Sequence, residues 1–340
     1  MSNWEKYSGT PKEWNDFVLL KEGNHRQVHE WGEYKKATDW EVLRFVYRNG
    51  NNIEASLQTI YKTKFLINAI YIPGGVNGDV ATLNEGFFNL LERSLDSSHY
   101  YIRSDFTKEL CVEDENELNR QGWSRSIYKT HSGIYCELDL KKSNDELLLE
   151  ASQKWRYHFK RSLNKEANLL EENNPQNFVS IHKELTDQRK HENFYTDREV
   201  KALIKLLGEK LIIIQAKNKN NDLLALRSVI KVGKRAWHHY SAVTNKGRSD
   251  LSGYRTFVHL LDVLRKKDIE YFNIGELNQD RWPGPYRFKL GIGRKSRIYN
   301  SLGEWNFSSS LFITWALDFY VRLHLRRHGA SFFNSKLKNK

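Results

Sequence analysis

Apolar and polar positions along the chain fall into two similar halves. Glu41-Val-Leu-Arg-Phe-Val-Tyr47 alternates, Asn49-Gly-Asn-Asn52 supplies a turn, and Ile53 to Lys62 alternates again, which predicts a β-hairpin. The second half repeats this pattern 170 residues on, with Ala225 in register with Ala55: Leu211 to Ala216, a polar turn from Asn218 to Asp222, then Leu223 to Val232. Aromatic-rich strands are predicted next, at Phe65 to Ile72 and Ala236 to Ala242. Asp79 to Leu95 and Asp250 to Leu264 then carry apolar residues at helical spacing, each followed by a short strand, Tyr100 to Arg103 and Tyr271 to Ile274.

Strand, strand, strand, helix, strand is the order of a meander with a crossover helix, the core order of the GNAT acyltransferase fold, here duplicated in one α/β (α+β) chain. Lys141-Lys-Ser-Asn-Asp145 reads as the border, where Ser143 or Asn144 caps a helix. The expected domains are 1–143, completed by 312–340, and 144–311. A last helix, from Leu311 to Arg327, is expected to pack back across the first domain.

Composition narrows the class. The chain has 340 residues, 39% apolar, with 10 Trp, which fits two packed domains and excludes a disordered polymer. Met1 to Lys21 has no apolar core of signal-peptide length, and Leu311 to Val321 is too short for a membrane span and contains Asp318, so a cytoplasmic location is expected. Cys111 and Cys136 have no metal-ligand spacing and are expected as reduced thiols, with no metal bound. The formal charge of +12 points to phosphate-bearing partners: nucleic acid, nucleotide-linked precursors or anionic lipid heads.

Several segments, in order, resemble the FemABX family of peptidoglycan-bridge aminoacyltransferases, built from two GNAT-like domains. Gln27-Val-His-Glu-Trp31-Gly-Glu-Tyr-Lys35 is similar to the family's Gln…Trp…Lys run. Tyr71-Ile-Pro73-Gly-Gly-Val76 is similar to its Pro-Arg/Lys-Gly-Pro-Val stretch, without the basic residue and second proline. Tyr100-Tyr-Ile-Arg103-Ser-Asp105 resembles an aromatic-x-x-Arg-x-Asp strand end. Tyr271-Phe-Asn-Ile-Gly275 resembles Asp-Leu-Gly-Gly, and Phe288-Lys289-Leu-Gly291-Ile-Gly293 resembles Phe-Lys-x-Gly-Phe. The resemblance implies a transferase moving an aminoacyl group onto an amine of an envelope precursor.

Such transfer needs an activated carbonyl, a neutral amine, a place for its proton and positive character near the developing oxyanion. With no Gly-x-Ser-x-Gly elbow, direct attack in a ternary complex is expected. Lys289 is the oxyanion candidate, Asp105 the proton acceptor or amine-orienting group, and an Arg103 to Asp105 contact the structural alternative for that acid. Lys35 takes the family's phosphate-clamp position, with Trp31, Tyr100, Arg103, Tyr240, Tyr254 and Phe288 as further substrate-binding candidates. The family's second clamp arginine should lie after Gln188 to His191, but Phe194-Tyr195-Thr196 stands near that place, which leaves Arg189 and Arg198 as substitutes. Arg156, Lys160, Arg161 and Lys165 on one helix are the RNA-binding candidates.

Neither Gly74-Gly-Val-Asn-Gly78 nor Gly247-Arg-Ser-Asp250-Leu-Ser-Gly253 keeps the pyrophosphate loop of coenzyme A enzymes, and Asp250 places negative charge there. The expected donor is therefore aminoacyl-tRNA, with no cofactor bound. The expected acceptor is a nucleotide- or lipid-diphosphate-linked precursor. An acyl-CoA-dependent N-acyltransferase acting on an amino sugar is the alternative. A third reading is a basic scaffold on RNA or on the inner membrane surface, using Val321 to His328.

Overall fold

The computed structural model describes residues 2–64, 66–127, 129–189 and 195–315. Within these the chain divides into two units, Met1–Gly133 with the part returning from Asn300, and Ile134–Tyr299.

The first unit opens with β1 (Ser2–Lys6), α1 (Pro11–Leu20) and α2 (His29–Lys36). The first predicted hairpin is β2 (Glu41–Asn49) and β3 (Asn52–Lys64), closed by Gly50 at φ 59°, a left-handed turn that glycine adopts without strain. Next come β4 (Ile67–Gly74), α3 (Glu85–Leu95) and β5 (Tyr100–Glu109), with β4 and β5 parallel as a crossover helix requires. α3 turns Phe87 and Leu91 into a core that also holds Phe45, Leu57, Ile72, Ile102 and Trp305. α4 (Val112–Arg120) and the short β6 (Ser124–Arg125) complete the unit up to Gly133.

The second unit begins with β7 (Ile134–Asp139), α5 (Asn144–Glu150) and α6 (Gln153–Leu163). Ser143 caps α5 in a reciprocal box with Glu146. β8 (Asn168–Glu171), α7 (Pro175–Arg189) and α8 (Asp197–Leu207) precede the second hairpin, β9 (Leu211–Lys217) and β10 (Leu223–Val232). β11 (Arg235–Val243), α9 (Asn245–Ser249), α10 (Ser252–Lys266) and β12 (Tyr271–Glu276) follow. α11 (Pro283–Ile292) leads into β13 (Arg297–Ser308). α10 covers the sheet with Phe257, Leu260, Leu261 and Leu264. β11 and β12 are parallel, so the strand and helix order of the first unit recurs.

Both domain borders differ from expectation. β7 pairs antiparallel with β12, Phe272 opposite Leu138, so the second unit starts ten residues before the capped helix that marked the border in the sequence. The return to the first unit comes at Asn300, not at 312, because Ser301 to Ser308 pairs with β5, Ser301 opposite Glu109 and Ser308 opposite Tyr101. Of the expected last helix, residues 311–315 are helical. Its remainder, including Val321 to His328, lies outside the described residues, as do Phe65 and Phe194. Among the described residues, no helix is long and apolar enough to cross a membrane.

Candidate active site

The strand ends of the two units are built differently. In the first, the parallel ladder of β4 and β5 runs from Asn68 opposite Tyr100 to Gly74 opposite Phe106. Asp105, 3% exposed, lies on this ladder: Arg26 forms an ion pair with it and the Gly74 N–H donates to it at 2.8 Å. The Arg26 guanidinium also donates to Tyr71 Oη at 3.0 Å. Asp105 is thereby committed to the fold, and its partner is Arg26, which is absent from the sequence-based site, in place of Arg103.

Arg103 pairs instead with Glu304 at 3.2 Å and donates to Ser126 Oγ. Glu304 is buried and also takes bonds from the Thr130 N–H and His131 Nδ1, both at 2.9 Å. Burial pushes its carboxyl up, but the bonds from His131 and Thr130 and the Arg103 charge outweigh it and hold the pKa at about 2.

The other first-unit candidates are structural in their placement. Tyr100 is 2% exposed and belongs to the hydrophobic core, its ring centre 6.3 Å from that of Phe307. Trp31 is buried on α2, edge-on to Tyr34, and the Lys35 ammonium rests over both rings at 5.1 and 4.8 Å. That contact fixes Lys35 at the helix surface and leaves its charge partly exposed, as a phosphate contact would need.

In the second unit the ladder between β11 and β12 has three pairs, Arg235 with Tyr271, Ala236 with Phe272 and Trp237 with Asn273. Beyond Asn273 the strands part. The β10–β11 ladder shifts register here too: Ser228 faces Tyr240 and Val229 faces His238, so His239 is the extra residue of a bulge. Gly275 follows the last pair with φ 87°, a conformation costly for any side chain-bearing residue. A Cβ there would stand 2.9 Å from Lys289 Nζ and 3.5 Å from His238 Nδ1, so glycine keeps open a hollow that both groups border.

Lys289 reaches this hollow from α11. Pro283 starts that helix, and Phe288 seats it against Trp155, Tyr254 and Phe257. It ends at Gly293, whose absent side chain leaves room for Cys136 Sγ. Lys289 Nζ donates to Glu276 O at 3.0 Å and, among the described residues, forms no ion pair. Burial, opposed by Glu276 and reinforced by the Arg227 charge, draws its pKa from 10.5 to about 8.

Arg227 on β10 is 8% exposed, its guanidinium stacked 5.1 Å from the ring centre of Phe257 and 4.8 Å from that of Phe288. Nη2 donates to Gly253 O at 3.1 Å, Nε has no partner, and no acid pairs with it among the described residues. Burial lowers its pKa to about 10. Two cations without a bonded carboxylate give this hollow a positive field, suited to an oxygen that gains negative charge.

Tyr254 and Phe288 thus stand with Lys289 in one cluster. Tyr240 lies apart from it, bonded to His182 Nδ1 at 3.0 Å and stacked on Phe178. Arg156 Nη1 donates to the carbonyls of Leu149 and Ala151, at 2.8 and 2.9 Å, and so anchors the start of α6. Lys160, Arg161 and Lys165 are exposed, Arg161 over the Tyr157 ring. Arg198 is exposed on α8, and the side chain of Arg189 lies outside the described residues. The sequence reading missed Arg227 and His238, because a polar residue in an apolar strand reads as core until its neighbours are known.

No protein-family model matches the chain, and no curated protein matches it in sequence. Solved structures do match. The crystal structure of FemX is similar over 89% of this chain and 97% of its own, with 15% identity and a TM-score of 0.75. A tandem GNAT protein from the clavulanic acid biosynthesis pathway is similar over 91% and 99%, at 10% identity and 0.57. L-PGS from Bacillus licheniformis is similar over 94% and 97%, at 11% identity and 0.55. These likenesses establish the fold: two GNAT-like halves in one chain.

Proposed function

We propose that this chain is an acyltransferase that moves an aminoacyl group from aminoacyl-tRNA onto an amine of a cell-envelope precursor, with the chemistry in the second unit. The observation that carries the reading is Lys289: a half-buried ammonium with no ion pair among the described residues, aimed over a glycine where two parallel strands part. The acceptor nitrogen attacks the ester carbonyl, the C–N bond forms, the C–O bond to the ribose breaks, and the amine's proton ends on the leaving oxygen. Lys289 meets the charge on the carbonyl oxygen in the tetrahedral intermediate. The likeness to FemX and the FemABX-like segments support aminoacyl transfer. Exposed Lys160, Arg161 and Lys165 support an RNA-borne donor. The partly exposed Lys35 supports a diphosphate on the acceptor.

The test is incubation of the protein with total charged tRNA or with a panel of acyl-CoA thioesters, beside envelope-precursor pools, with products read by mass spectrometry. Aminoacylated precursor formed only with charged tRNA is the expected result. Acyl transfer from coenzyme A alone would establish the alternative donor, and no product from either would refute the transferase reading.

A further inference from the structure

His238 borders the same hollow as Lys289 and has no part in the reading above. It is half-buried on β11, one residue beyond the last pair with β12 and one before the bulge at His239. Nε2 lies 3.2 Å from Ser241 Oγ, its hydrogen bond among the described residues, and Nδ1 borders the point where a Gly275 side chain would be. With Nε2 anchored, Nδ1 is the nitrogen left for a substrate.

We propose that His238 is the proton acceptor of the transfer: Nδ1 takes the proton from the attacking amine and returns it to the leaving oxygen. The proposal rests on the transferase reading and fills the place left by Asp105, whose oxygens are taken by Arg26 and Gly74.

The balance closes without a further reactant. As the C–N bond forms, the amine proton passes to Nδ1, and Nε2–H donates to Ser241 Oγ. As the C–O bond breaks, the same proton passes to the ribose oxygen, and His238 is neutral again. The groups that bear on the ring are Lys289 from α11, Arg227 from β10 and His239 beside it on β11. Burial and these charges keep His238 neutral well below its ordinary pKa. A ring held that low is a weak base at rest. Negative charge arriving on the carbonyl oxygen offsets Lys289 and raises the ring's basicity as the proton transfers. When that charge collapses, the same cations make the imidazolium strongly acidic, which favours protonation of the leaving group.

The test compares wild type with His238→Asn, whose side-chain oxygen can accept a hydrogen bond near the Nδ1 position but takes no proton. With the donor that the transfer assay identifies, kcat should fall ~10²-fold or more, the scale of a general base, with donor affinity unchanged. The acid limb of kcat/KM, below pH ~6.5, should vanish in the variant, and imidazole should restore part of the turnover of His238→Ala. A wild type that turns over beside an Asn variant with similar kcat and an intact acid limb would overturn the role of His238 and leave the transferase reading standing. A wild type that transfers nothing would overturn both. The tautomer is checked separately in the wild type by the ring's nitrogen resonances: a neutral Nε2–H tautomer at pH 7 is expected, and an imidazolium or an Nδ1–H tautomer would overturn the proposal whatever the kinetics of the variants.

Discussion

Replacing Lys289 by Met should make the protein more stable and nearly inactive. The ammonium's pKa falls from 10.5 to about 8 in the fold, and at ~1.4 kcal/mol per unit the native state holds the charge at a cost of ~3 kcal/mol at neutral pH. Methionine keeps the length and apolar stem, so packing against the Phe288 side of α11 survives. The loss is one hydrogen bond to Glu276 O, about 1 kcal/mol. Lys289→Met should therefore gain ~2 kcal/mol at pH 7, a rise of a few degrees in melting temperature for a chain of this size. The sign depends on pH. Below about 8 both folded and unfolded lysine are protonated and the cost is full. Between about 8 and 10.5 the folded lysine is neutral while the unfolded one still binds a proton, so wild type recovers and the difference shrinks. Denaturant melts at pH 7 and pH 10, beside kcat, provide the assay, with a loss of ~10²-fold or more expected in turnover. A variant that is less stable at pH 7, or equally stabilised at both pH values, would refute the placement of an uncompensated ammonium. One that turns over normally would remove Lys289 from the chemistry.

Asp105→Asn should cost ~2 kcal/mol by urea melts, because it leaves Arg26 without its buried partner, while kcat holds within a few fold; a lost kcat in a stable variant would return Asp105 to the mechanism. Glu304 has its pKa lowered from 4.5 to about 2, so its stabilisation is full above pH 4.5 and is lost as pH falls toward 2. Glu304→Gln should flatten the acid-denaturation curve in that window, and an unchanged curve would place that stability elsewhere. Charge reversal of Lys160, Arg161 and Lys165 together should weaken tRNA retention on filters and reduce its dependence on salt, with Arg156→Ala lowering stability instead. Unaltered retention would move the RNA contact away from these three residues.

Much of the fold could be read because its signals are local. Alternation and the turns at Asn49 to Asn52 and Asn218 to Asp222 define both hairpins, and the helix between β4 and β5 forces a parallel pair. β13 could not be read this way: it pairs with a strand some two hundred residues earlier, and no periodicity records that. The site divides along the same line. Phe288 and Lys289 stood out as a motif, but Arg26, which takes Asp105, comes from a short 3₁₀ turn, His25–Gln27, 79 residues away. The bulge at His239 interrupts the alternation, so counting by twos along β11 does not give the side chain directions past His238. Tyr100 was misread because an aromatic at a strand start looks the same whether it faces a cleft or the core.

The two halves, compared at the 170-residue offset, differ at the strand end where the proposed chemistry lies. Asp105 corresponds to Gly275 and Arg103 to Asn273. In the first unit the strand end carries an acid, the ladder stays closed beyond it, and Arg26 neutralises the charge. In the second a glycine stands in place of the acid, the ladder stops at Asn273, two residues before it, and a lysine and a histidine border the gap. An acid at 275 would pair with Lys289 as Asp105 pairs with Arg26, and a paired ammonium is a poor electrophile for an oxyanion. The first half takes the stability of a satisfied ion pair, while the second keeps a cation that has no ion pair among the described residues and that, in the proposed transfer, meets its counter-charge only as the substrate reacts.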